Sequence, residues 1–136
     1  MDDMMMSIRI LAHATEEERR PMMKSRIEMF VSQPEDQRLK GMGEMITIVA
    51  RMNDKQRKNI IGYRNVAVAE LPDGQRSMIM ATRIALAKTL PEDTHKLDMK
   101  IMIEAIPEMP RDFQTKFRQT LKEQMQAAGM SMLDML

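Results

Sequence analysis

Cysteine and tryptophan are absent from the 136 residues, and the other aromatics are three Phe and one Tyr. Without thiols there is no disulfide, no zinc–thiolate centre and no cysteine nucleophile. The lack also fits a reducing compartment, so a cytoplasmic location is expected. A surplus of one charge sign is missing too: 21 Lys and Arg stand against 20 Asp and Glu, a formal net charge of +1. A global basic field is therefore no basis for nucleic-acid or membrane binding, and such a function would need a local patch. No window approaches the roughly 18 consecutive apolar residues that a membrane span requires. The start, MDDMMMSIRILAHA, carries two aspartates where a secretory signal has basic residues. The β-branched and aromatic runs that build strands are short or missing.

What the chain has is methionine, 19 of it. Met is an unbranched, polarizable helix former that fills irregular cores. With 30% charged and 43% hydrophobic residues, the composition is that of one globular domain.

The phrase Leu-Pro-acid occurs at Leu71 and again nineteen residues later at Leu90. On a nineteen-residue grid, Thr15, Pro34, Asn53, Pro72, Pro91 and Pro110 fall in register, and each opens a unit with helix-start chemistry. Proline suits a first turn, Thr and Asn are good N-caps, and the acid that follows in five units favours the positive end of the helix dipole. TEEE at Thr15, SQPE at Ser32 and TLPE at Thr89 each fit a capping box. Positions nine, thirteen, sixteen and nineteen of the units are apolar, as in Met42, Ile46, Val49 and Met52. Steps of four, three and three place them on one helical stripe.

The predicted fold is all-α. Six antiparallel helices from a 19-residue tandem repeat should form a compact α-solenoid or a bundle-like array. Residues 1–14 are an N-terminal segment, 15–128 the six-unit domain and 129–136 a tail. Met130, Met132, Leu133, Met135 and Leu136 in the tail would extend an apolar surface or dock on the last helix. Pro21 should kink the first unit or delay its helix. Position ten is Gly43, Gly62 and Ala81 in inner units, where close helix approach is expected. It is Lys24, Lys100 and Gln119 in outer ones, which should face water.

Position five is Arg19, Arg38, Arg57 and Arg76, then His95 and Gln114, and it points into the apolar arc. An arginine there must pair with an acid such as Glu35, Asp54 or Asp73, or with helix C-terminal carbonyls, which would make it a structural staple. The competing reading adds position twelve and makes Arg26, Arg57, Arg64, Arg76 and Arg83 an anion or partner contact. The staple is favoured, with His95 as a substituted staple.

Neither His13 nor His95 has a partner at metal-ligand spacing, and no P-loop, G-x-G-x-x-G or nucleophile elbow occurs. No metal, cofactor or catalytic residue is expected. Gly41 to Gly43 is read as packing, Asn65 as a core hydrogen-bonding residue, and the acids at helix starts as caps. The expected function is a non-enzymatic helical-repeat interaction module or scaffold whose partner is a protein or peptide. The alternative is a nucleic-acid or polyanion binder using the arginine ladder. Third comes a Met-rich metal carrier, because thioethers such as Met42 with Met45 or Met99 with Met102 suit Cu(I). The oligomeric state is not fixed by these patterns.

Overall fold

The structure, a computed structural model, describes residues 2–130. Seven α-helices follow one another, and no strand occurs among the described residues: α1 (Asp2–His13), α2 (Glu16–Ser32), α3 (Glu35–Ala50), α4 (Asp54–Ala69), α5 (Asp73–Ala85), α6 (Glu92–Glu104) and α7 (Arg111–Ala127). Single 3-10 turns, Leu86–Lys88 and Ile106–Glu108, extend α5 and α6. The count corrects the expected six, because the N-terminal segment is itself a helix. Ile8, Leu11 and Ala12 make its buried face, and spacings of three and four suffice to build one. Met132, Leu133, Met135 and Leu136 lie outside the described residues.

The N-caps of α2 to α7 are Thr15, Pro34, Asn53, Pro72, Pro91 and Pro110. Thr15 forms a full capping box with Glu18, and Asn53 accepts from the Gln56 amide at 2.9 Å. The boxes expected at Ser32 and Thr89 do not form. Helix starts there fall at Pro34 and Pro91, so both hydroxyls donate backwards, Ser32 to the Met29 carbonyl and Thr89 to that of Leu86. The prolines keep extended ψ values near 150° and leave the acid behind them as the first helical residue. Pro21 lies inside α2, which nonetheless begins at Glu16, so the helix does not start late.

At the other end, Gly129 takes φ +72°, where a side chain would be strained. The Met130 amide then donates to the Met125 carbonyl at 2.8 Å and Gly129 to Gln126 at 3.0 Å, the paired bonds of a Schellman turn. That turn folds Met130 back beside Met125.

Helix α4 packs against each of the other six helices, and α3 meets α6 as α4 meets α7. One continuous core results, filled by Met23, Met45, Met99 and Met102 among the isoleucines, with Phe30 and Phe117 as its largest rings. Position ten behaves otherwise than expected. A side-chain carbon on Gly62 would meet nothing within 4 Å, one on Gly43 would touch only Leu86 at 3.5 Å, and Ala81 is exposed. The close approach is at Gly41, where such a carbon would stand 2.8 Å from the Phe30 ring. Lys24, Lys100 and Gln119 face water.

Candidate functional site

The arginines of position five reach back to the turn just before their own helix. Arg38 donates to the Gln33 carbonyl at 2.9 Å, Arg76 to that of Leu71 at 2.8 Å, and Arg57 to that of Met52. Gln114 does the same to Met109 at 2.7 Å. The acceptor is five residues back in all four cases. Arg19 holds the Leu11 and Ala12 carbonyls of α1. A carbonyl at the end of a helix has lost its intrahelical partner, so a buried guanidinium stem with its head on that carbonyl satisfies both groups. Asp54 and Asp73 add carboxylate partners to Arg57 and Arg76. The second function of these side chains is lateral. Arg38 Nε donates to Thr82 Oγ1 at 2.9 Å, and Arg76 Nε to Thr120 Oγ1 at 2.8 Å, each 44 residues on.

His95 departs from this pattern. It belongs to a buried cluster with Arg64, Arg83 and Asp98, at the meeting of α4, α5 and α6. Arg64 grips Asp98 with a two-point fork at 2.8 and 3.0 Å. Arg83 Nε donates to the same carboxylate at 2.8 Å, and its Nη2 donates to the His95 carbonyl at 3.2 Å and to Nδ1 at 3.1 Å. Arg83 and Asp98 are each only 3% exposed.

Burial on its own would raise the Asp98 carboxyl, but the two guanidiniums outweigh it and hold it at about 2. Burial and then the Arg83 charge push His95 below its usual value, against the pull of Asp98. His95 is therefore neutral near pH 7 and accepts from Arg83 at Nδ1. Burial also pushes Arg83 down, but a guanidinium keeps its proton in proteins. Two cations and one anion leave the cluster with one positive charge in excess.

An interior cavity of about 30 Å³ opens beside it, and Arg64, Asn65 and Arg83 contribute to a wall that is mostly apolar. Phe30, Met45, Met80, Met102 and Phe117 line much of the rest. Asn65 Nδ2 donates to the Met102 carbonyl at 3.0 Å, which fixes the amide and leaves Oδ1 unpaired. Arg83 Nη1 is also unpaired. A neutral carbonyl left so costs about 1–3 kcal/mol.

Of the five arginines proposed from sequence as an anion contact, Arg64 and Arg83 thus meet on Asp98. Arg57 and Arg76 hold separate turns, and Arg26 reaches Ser7 and the Met4 sulfur on α1. All five spend donors within the chain, and they do not converge on one surface. Asp98 went unremarked in the sequence, yet a signal was there. Position eight reads Met22, Gly41, Ile60, Ile79, Asp98 and Phe117, one acid in an apolar column, while position twelve places Arg64 and Arg83 among Met45, Met102 and Leu121.

On the surface, a groove of about 460 Å³ runs between α6 and α7. Ile103, Ile106, Leu121, Met125 and Met130 line it, with Arg118 and Lys122 as its charged residues. A second apolar area lies on α1, where Met6 is 66% and Ile10 56% exposed. No group of three or more His, Asp or Glu suited to a metal occurs among the described residues. None of their helices is long and apolar enough to cross a membrane. Comparison with known family models, curated proteins and solved structures found no match.

Proposed function

We propose that the chain is a non-enzymatic helical-repeat interaction module whose partner is an amphipathic peptide or protein helix with acidic flanks. The α6–α7 groove carries this reading. Its apolar floor suits the alternate-turn anchors of such a helix, and Arg118 with Lys122 complement acids beside them. Flexible Met125 and Met130 let the floor adapt to its guest. We read α2 to α7 as copies of one unit closed into a bundle-like array. N-caps nineteen residues apart and the twin Arg38–Thr82 and Arg76–Thr120 pairs support this.

The polyanion alternative draws less support, since its arginines are committed to internal acceptors. The metal-carrier alternative needs accessible thioethers, and Met42, Met45, Met99 and Met102 are all buried.

The test is fluorescence anisotropy with a synthetic helix bearing leucines on one face and glutamates beside them. Lys122→Glu with Arg118→Glu should weaken binding at least tenfold, and Arg9→Glu on α1 should not. No binding, or equal loss from both variants, would remove the proposal.

A further inference from the structure

We infer that the outward face of α1 pairs with the same face of a second copy of this chain, the two helices antiparallel about a two-fold axis level with residue 8. Three large apolar side chains are exposed among the described residues, and two of them, Met6 and Ile10, stand one turn apart on α1. With Asp3 and His13, both exposed, they make a stripe at steps of three, four and three. At 3.6 residues per turn that stripe lies opposite Ile8, Leu11 and Ala12, the face that α1 buries in its own core. Helix α1 is therefore apolar on two sides, and folding of one chain covers one of them. Met22 of α2 widens the uncovered side, lining with Met6 and Ile10 a shallow groove of about 440 Å³.

The order of residues along the stripe selects the occupant. It reads acid, apolar, apolar, base, with Met6 and Ile10 two places either side of residue 8 and Asp3 and His13 five places either side. Antiparallel pairing of two copies sets Met6 against Ile10 of the second copy and Asp3 against its His13, and two-fold symmetry makes each contact twice. An imidazole N–H donates to a carboxylate there. Parallel pairing would set Asp3 against Asp3, so charge selects the antiparallel form. An unrelated partner would need an acid and a base at these same places, whereas a second copy carries them already. Glu18, which lines the same groove, does not compete for His13, because its carboxylate is engaged by Thr15. At 12 residues α1 is about 18 Å long. A contact of that length falls below the roughly 1,200 Å² of a stable interface, so the dimer is weak and depends on concentration.

This face does not include the α6–α7 groove, so either proposal can fail alone. The test is sedimentation equilibrium of the whole chain from about 10 μM to about 1 mM. Wild type should pass from monomer to dimer within that range. Ile10→Glu should weaken association about tenfold or more, because it sets a carboxylate against Met6 of the second copy. It should keep wild-type helicity, since residue 10 is exposed. Asp3→Lys and His13→Glu should each weaken association about three- to tenfold, as two exposed pairs are lost. The double variant Asp3→Lys with His13→Glu restores opposite charges across the antiparallel contact and should recover the wild-type dimer. A wild-type chain monomeric throughout would overturn the inference and leave the face to another occupant. So would a dimer indifferent to Ile10→Glu, or a double variant no better than the single ones.

Discussion

At the scale of single residues, Asp98 carries the largest individual consequence. It is the one anion among Arg64 and Arg83, and each of its oxygens is engaged. Asp98→Ala should lower stability by about 3–5 kcal/mol in denaturant titrations, because it strands two buried guanidiniums. The same cluster sets an acid limit. The Asp98 carboxyl sits at about 2 when folded against 3.8 otherwise. Its contribution is therefore complete above pH 4 and fades as pH falls toward 2. His95 is also depressed when folded, so its contribution exists above its ordinary value near 6.5 and declines below it. Both slopes run the same way. Helicity followed by circular dichroism should show stability falling from about pH 6.5 and more steeply below 4; a chain more stable at pH 4 than at 7 would contradict this. Asp98 was missed although position eight carried the signal, one acid in an apolar column; the partner of such a misfit depends on which helices touch. That is tertiary information, and a nineteen-residue period does not contain it.

At the scale of one helix, the glycines separate by what lies opposite them. Gly62→Ala introduces a carbon into open space within α4 and removes backbone freedom from the unfolded chain. It should stabilise by about 0.5–1 kcal/mol. Gly41→Ala drives its carbon against the Phe30 ring, which is 1% exposed and has little room to yield. It should cost about 1–3 kcal/mol. Thermal melts of the two variants should move in opposite directions. The sequence identified the helices α2 to α7 and the positions where they begin, because caps and dipole acids act within a few residues. It misjudged the capping boxes, since a proline two places downstream takes the N-cap and leaves Ser32 and Thr89 outside the helix. It also misjudged the glycines of position ten, because close approach depends on a ring from another helix. The turn-holding role of position five was legible for the same local reason as the caps: the carbonyl that Arg38 or Arg76 grips is five residues away in the chain.

At the scale of the whole molecule, core and surface should respond very differently to truncation. Ile84 is 3% exposed in the common core, and Ile84→Ala should cost about 2–5 kcal/mol through the hole it leaves. Lys100 faces water, and Lys100→Ala should stay within about 0.5 kcal/mol. Equal losses in urea titrations would mean the buried and exposed faces are misassigned. The α1 helix was the element the period hid, since its Ile8, Leu11 and Ala12 obey helical spacing but no unit boundary.

Because α4 touches all the others, this chain is built round its middle. A ribosome delivers that middle only after α1, α2 and α3, so those three emerge with the sides meant for α4 still bare. Nascent chains halted before residue 54 should therefore be prime clients for chaperones, and a lost or duplicated helix would leave the hub with the wrong number of spokes.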